Sequence, residues 1–368
     1  MGRRRAGGTR RSPSLPDVSG FASSSRALVQ GSGRRVLVTG ATGLVGSHLV
    51  EWLGRSGWSV RALVRDTRAA AWVGELGASE LRRGDVLDEA SFTSAAMGCE
   101  IIFHTAAAIT PSRSDWESYR STNVEGTRMA VDAARTSGAR LMHVSSVAVY
   151  GPKGRFRPEG PTVESIPLEP LPERAYYARS KRESEQLVMG AHERGEIWAT
   201  VVRPDVIYGR RDRQFVPRFA KIFSTIHVMP LPGGGHNTLA IIHAANVADC
   251  AIRAATADVA GGKAYNVTNE GDVTLGRFVR LAAAGLGTRV LGLPVPLFVM
   301  ERGLSTTKRI ARWLHLPGAA VLQHASLGFL ARDNPFSSEL AQRELGWMPV
   351  VAPTTGIPDA FRWWKTNR

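Results

Sequence analysis

The chain has 368 residues, 43% of them apolar and 21% charged, which suits a soluble globular protein with one large α/β domain or two smaller ones. Its two cysteines, Cys99 and Cys250, form no CxxC pair and sit near no histidine cluster, so a disulfide framework and a metal site are both unexpected and a reducing, cytoplasmic setting is the natural reading. No run of about 18 apolar residues occurs, so no membrane span is expected.

The formal charge of +15 is unevenly spread, because residues 1–35 hold eight arginines and a single acid, Asp17. Residues 1–33 are rich in Gly, Ser and Arg and lack an apolar period, which predicts a disordered tail. The paired arginines lack the apolar stretch of an export signal. The composition also resembles an organellar transit peptide, and a start codon placed too early would look the same. Attraction to nucleic acid or to a membrane surface is the functional reading of such a tail. Disorder without a partner is the plainer one, and no nucleic-acid partner is expected.

The first predicted strand covers residues 35–39, RVLVT, a short β-branched run. Gly40-Ala-Thr42-Gly43-Leu44-Val45-Gly46 follows, and a helical pattern runs from His48 to Arg55. Strand, glycine turn and helix in this order favour a dinucleotide site. Gly40 permits a tight turn, Gly43 lets a pyrophosphate approach the backbone, and Gly46 lets helix and sheet pack closely. The spacing departs from G-x-G-x-x-G, but the physical demands are the same.

Trp58–Val64 reads as the second strand and ends at Arg65. An arginine just past this strand suits a ribose 2′-phosphate, so NADP(H) is favoured; the neighbouring Asp66 keeps NAD(H) possible. A third strand is predicted over residues 79–83, followed by Gly84-Asp85-Val86, where an adenine edge could be read. A helix over 88–97 and a fourth strand over 100–104 come next. Thr105, Ala106, Ala107 and Ala108 then leave space for a cofactor at the strand's carboxyl end. His104 reads as a packed strand-end histidine rather than a base.

Residues 115–137 are predicted as one long helix. Asn123 is a poor helix former at an interior position. It would face solvent, cap a neighbouring strand, or hold the site together. Residues 140–145 form a fifth strand running into Ser145-Ser146, beside the crevice where ligands bind in such sheets. The stretch 151–175 holds six prolines and no period, a loop best read as an active-site lid.

Residues 175–186 read AYYARSKRESEQ. On a helix, Tyr177 and Lys181 share a face. A cation there favours loss of the phenol proton, which titrates near ~10 in free tyrosine. A sixth strand over 197–203 leads into Arg203-Pro204-Asp205-Val206. Beyond it the alternation loosens. Residues 238–242 and 264–267 are strand-like, and 244–255 and 275–284 helical. The run Leu291–Met300 reads as a strand end and a buried helix start, with a membrane-contacting or substrate-facing role as the alternative. The carboxyl end suggests helix packing and an amphipathic terminal helix.

Four stretches then coincide in order: TGATGLVG at 39–46, SSVAVYG at 145–151, YARSK at 177–181 and RPDVIYG at 203–209. Together they resemble the extended short-chain dehydrogenase/reductase family, also called the NAD-dependent epimerase/dehydratase family, from about Arg34 to the end. The resemblance implies a Rossmann α/β fold, a doubly wound parallel sheet over 34–203 with 238–256 returning to it, and a smaller substrate-binding lobe over 204–368. It implies catalytic roles for Ser146, Tyr177 and Lys181. It also implies cofactor contacts from the glycine turn, Arg65, Asp85, Val86, Thr105–Ala107, Asn123, Ser145, Tyr177, Lys181, Pro204 and Val206. Lys181 would hold the nicotinamide ribose.

Within the family, nucleotide-sugar epimerases and dehydratases grip a diphosphate with an arginine where this chain has Asn237 and Thr238. A neutral pair is a poor clamp. The segment 233–248 is instead similar to the 3β-hydroxysteroid dehydrogenase-like branch, and LVRD at 63–66 to dihydroflavonol reductase-like members. The expectation is an oxidoreductase for a ketone or secondary alcohol on a bulky apolar small molecule. Sugar-nucleotide chemistry is the alternative inside the family, and a catalytically silent cofactor-binding protein the alternative outside it. A homodimer through the helices carrying Asn123 and Tyr177 is a further implication.

Overall fold

The computed structural model describes residues 29–109, 115–151, 160–268, 273–296 and 332–368. The Arg-rich stretch 1–28 and residues 297–300 of the Leu291–Met300 run lie outside the described residues. Eleven strands are described: β1 (Arg35–Thr39), β2 (Ser59–Val64), β3 (Ala78–Arg83), β4 (Ile101–His104), β5 (Arg140–Val144), β6 (Ala199–Pro204), β7 (Val206–Tyr208), β8 (Val228–Pro232), β9 (Ile241–His243), β10 (Ala264–Val267) and β11 (Leu291–Val295). Seven of them form one parallel sheet in the order β10-β6-β5-β4-β1-β2-β3. Strand order reverses between β1 and β4, so their carboxyl ends open a crevice there.

Alternation along each strand sends neighbours to opposite faces. Val36, Val38, Val60, Ala62 and Val202 pack on one side, against α1 (Leu44–Arg55) and a helix at Ala244–Thr256. Leu37, Leu63, Ile102, Leu141 and Val201 pack on the other. There they meet α2 (Glu89–Ala96), α3 (Gly126–Ser137) and α4 (Tyr176–Glu193). Central parallel strands are therefore buried on both faces, as β6 and β1 beyond Arg35 are.

The sheet takes more of the chain than the span 34–203. Within 238–256, the helix Ala244–Thr256 packs on the sheet while Ile241–His243 pairs with β7 outside it, and β10 adds the seventh strand. Residues 29–33, counted with the tail in the sequence reading, belong to the folded part: Gly31 N–H donates to Ser56 O and Val29 O accepts from Trp58 Nε1. A separate apolar core joins three helices, Phe215–Thr225, Leu275–Leu286 and Pro353–Thr366, through Phe219, Phe223, Phe278 and Phe361. This core forms the C-terminal lobe.

The helix predicted over 115–137 is broken. Residues Trp116–Arg120 are α-helical, Ser121–Glu125 form a π-turn, and α3 follows. A π-turn inserts a residue and re-aims side chains locally. The described part of the proline-rich loop is pinned: Thr162 O accepts from Asn266 Nδ2, and Glu164 accepts from Asn266 N–H.

Candidate active site

The glycine turn sits at the carboxyl end of β1. Gly40 adopts φ +66°, in the left-handed region, and a Cβ there would lie 2.7 Å from Ala106 N. A Cβ on Gly46 would lie 2.2 Å from Gly40 O. Both positions therefore exclude any side chain. Thr42, Leu44 and Val45 complete the turn, and Gly43, exposed, stands as the N-cap of α1. No side chain caps this helix, and its first turn holds no acid. Its free N–H groups and positive dipole end thus face the crevice, as a phosphate site requires.

Across the crevice, Thr105 Oγ1 donates to Thr39 O at 2.8 Å, tying β4 to β1. Ala106 and Ala107 follow, half-buried and small. His104 is fully buried and hydrogen-bonds Thr39 Oγ1 at 2.9 Å and Thr127 Oγ1 at 3.2 Å. Burial, with the Lys181 charge as a lesser cause, pushes its pKa down to about 3, so it stays neutral and structural. Arg65 and Asp66 are exposed at the end of β2. Asp66 Oδ1 accepts from the Arg68 and Ala69 N–H groups. Asp85 Oδ1 accepts from Leu87 N–H, and Val86 packs over Gly126.

The second cluster lies at the end of β5. Ser145 is buried, its N–H donates to Val202 O, and its Oγ has no hydrogen-bond partner among the described residues. Ser146 is partly exposed and its Oγ accepts from Ala148 N–H at 3.2 Å. Just past the end of β5 the two serines thus differ: one hydroxyl is buried, the other partly open.

Two consecutive cations of helix α4 hold backbone carbonyls on either side of Ser146 in the chain. Lys181 Nζ donates to Val144 O at 2.8 Å, and Arg182 Nε donates to Val149 O at 3.1 Å. Tyr177 lies one turn before Lys181, half-buried, with its ring edge-on to Tyr119 at 6.3 Å. Burial pulls the Lys181 pKa down to about 8, partly opposed by Glu185. Asn123 is buried in the π-turn. It accepts from Ala108 N–H at 2.7 Å and donates to Ala108 O at 3.0 Å and Ser180 Oγ at 2.9 Å. Of the three roles open to it, capping the strand exit and linking the helices are the ones its contacts fit.

Pro204 is buried at the end of β6 beside Val267, and Val206 begins β7, paired with Ile241. Arg182, Glu185, Arg203 and Tyr150 escaped the sequence reading. Glu185 and Arg203 form a buried ion pair, and Arg203 donates to Tyr150 Oη at 2.7 Å. Tyr150 Oη in turn donates to Asn266 Oδ1 at 2.8 Å. The clue available was Glu185, which continues the i, i+4 spacing of Tyr177 and Lys181.

The turn, the uncapped helix and the small residues of β4 fit a dinucleotide. Among the described residues no cluster of ligating side chains could hold a metal.

The family model "NAD dependent epimerase/dehydratase family" matches residues 36–268. The chain is 31% identical over 331 residues to a Stigmatella aurantiaca protein named 4-hydroxy-2-methyl-3-oxo-4-farnesyl-3,4-dihydroquinoline-1-oxide ketoreductase, covering 89% of this chain and 96% of that one. It is 30% identical over 351 residues to 3beta-hydroxysteroid-dehydrogenase/decarboxylase isoform 2 of Arabidopsis thaliana, covering 88% of this chain and 61% of that one. The fold matches UDP-glucuronic acid 4-epimerase from Bacillus cereus in complex with NAD at TM-score 0.69 and 18% identity, over 91% and 97% of the two chains.

Proposed function

This chain belongs to the NAD-dependent epimerase/dehydratase family and is an oxidoreductase, and we propose that it moves a hydride between a nicotinamide and a ketone or secondary alcohol on a bulky apolar substrate. The observation that carries the reading is that Lys181 and Arg182, one turn past Tyr177, hold the carbonyls of Val144 and Val149 on either side of Ser146 in the chain. Ser146 offers its open hydroxyl to the substrate oxygen. Tyr177 gives that oxygen a proton in reduction and takes it back in oxidation. The Lys181 ammonium, one turn away, favours phenolate over phenol. When bound, the nicotinamide supplies or accepts the hydride. Lys181 would hold its ribose, the α1 N-terminus and Gly43 its pyrophosphate, and Asp85 and Val86 its adenine edge. Ser145, Asn123, Pro204 and Val206 would close the pocket around it.

For the cofactor we propose NADP(H). Arg65 is exposed at the end of β2, and Arg83, opposite Val64 in the register, is exposed at the end of β3. Asp66, which would otherwise accept from a ribose 2′-hydroxyl, spends Oδ1 on its own loop.

Apolar substrates are favoured over sugar nucleotides by one contact. Thr238 N–H and Oγ1 both donate to Asp333 Oδ1, which puts a carboxylate where a diphosphate clamp would be needed. The names of the ketoreductase and sterol-type relatives point the same way. Two buried free cysteines suit a cytoplasmic setting. A homodimer would form through the helical segments carrying Asn123 and Tyr177, and sedimentation tests that.

The test is turnover of long-chain β-keto and steroid ketones with NADPH and NADH, wild type against Tyr177→Phe and Arg65→Asp. Tyr177→Phe should abolish turnover and keep cofactor affinity. Arg65→Asp should weaken NADPH selectively, by roughly 10- to 100-fold for one charge-assisted phosphate contact. Near-normal turnover in the Phe variant sinks the mechanism.

A further inference from the structure

Strands β8 and β11 form a two-stranded parallel sheet on the C-terminal lobe, separate from the main sheet. One face is inward: Met229 and Leu231 are buried, and Leu231 lies against Gly292. The other face is outward and apolar. Leu291 is 61% exposed, Leu293 45% and Val228 38%, with Ile226 at 55% just before β8. Val228 and Leu291 are direct register partners, so these side chains form one patch. Scattered exposed apolar residues mean little, but a contiguous set on two paired strands marks an interaction surface.

The charge around the patch is one-sided. Residues 213–232 and 273–296, which build the two strands and the helices leading into them, contain Arg213, Arg218, Lys221, Arg277, Arg280 and Arg289 and no carboxylate. Arg218, Lys221, Arg280 and Arg289 are exposed. Lys221 precedes Ile226 by five residues, and Arg289 lies two residues before Leu291, just ahead of β11. An acidic protein would match the charge, but an apolar face on two stretches whose only charged side chains are cations is the pattern that lies in an anionic lipid interface: the apolar side chains enter the acyl boundary and the cations stay at the headgroups. No helix among the described residues is long and apolar enough to span a bilayer, so contact would be from one side.

We propose that the outward face of β8 and β11 seats the protein on an anionic membrane surface through Ile226, Val228, Leu291 and Leu293, with Lys221 and Arg289 at the headgroups. The proposal is independent of the catalytic reading, because binding is measured without turnover.

The experiment is co-sedimentation of the full chain with vesicles of phosphatidylcholine alone and with a third of phosphatidylglycerol, at low and high salt. Wild type should bind the anionic vesicles, less so at high salt. Leu291→Glu/Leu293→Glu should bind roughly tenfold or more weakly, since two exposed leucines are replaced by charges. Lys221→Gln/Arg289→Gln should weaken anionic binding and flatten its salt dependence, and it keeps the test open if the Glu pair fails to fold. Failure of wild type to bind overturns the proposal. So does equal binding by wild type and both variants, which would assign the attraction to the arginines of residues 1–28. Loss of self-association in the Glu pair with vesicle binding unchanged would make the patch a contact between copies and equally overturn it.

Discussion

Asn123 Nδ2 donates to Ser180 Oγ at 2.9 Å, linking the π-turn to the helix that carries Tyr177. Ser180 Oγ passes the link on by donating to Tyr177 O. The same Asn side chain holds both backbone groups of Ala108, at the exit of β4. One amide thus sets the spacing between the cofactor side of the crevice and the Tyr177 helix.

Replacing Asn123 with Ala should therefore do more than destabilise. Leaving Ala108 N–H without its acceptor costs about 1–3 kcal/mol, visible as a lower urea midpoint. Turnover should fall with it, chiefly in kcat, because Tyr177 loses its register. A variant that loses stability and keeps kcat would show that Asn123 is only structural.

Lys181 makes a prediction whose sign can be worked out. Its pKa is about 8 in the fold, against ~10.4 in an unfolded chain. The folded state therefore disfavours the ammonium. The penalty is fully present below pH 8 and fades as pH rises toward 10.4. Removing the charge with Lys181→Met should stabilise the ligand-free protein at pH 7 by up to about 3 kcal/mol, less about 1 for the bond to Val144 O. That advantage should shrink between pH 8 and 10 in urea titrations. Turnover should be lost, and in wild type kcat/KM for NADPH should decline above about pH 8 as the ammonium disappears. A Met variant less stable at pH 7 and still active would contradict both halves.

Glu185 and Arg203 are a buried pair beneath the site, each with under a tenth of its side chain exposed. Breaking one partner strands the other's charge. Arg203→Met should cost about 3–5 kcal/mol, and Arg203→Met/Glu185→Leu should recover most of it. Denaturant unfolding of the two single variants and the double one gives the coupling. Additive losses would mean the pair does not act as a unit.

The glycine turn separates folding from binding. A Cβ at Gly46 would collide with Gly40 O at 2.2 Å, and that backbone atom cannot move aside. Gly46→Ala should cost about 1–3 kcal/mol and abolish cofactor binding. A Cβ at Gly43 meets the same oxygen at 3.1 Å in an exposed position. Gly43→Ala should fold with nearly wild-type stability and bind NADPH more weakly, because the methyl group occupies the space a pyrophosphate needs. Isothermal titration with NADPH and thermal melts distinguish the two.

The order of strands and glycines up to Pro204 could be read directly from the chain, though the short helix Ala71–Glu75 could not. Each buried parallel strand is a short apolar run, and each turn needs residue types that few other contexts demand. Tyr177 and Lys181 were visible for the same reason, since their spacing is local and a helix fixes it. Other features depend on partners far away in sequence. Asn123 meets Ser180 across 57 positions, Arg203 meets Tyr150 across 53, and β10 joins the sheet beside a strand some sixty residues earlier. The π-turn that points Asn123 inward, the pinning of Thr162, and the exposure of Leu291 and Leu293 belong to that class. Periodicity records which side of an element is apolar. Only the packed fold decides what, if anything, lies against that side.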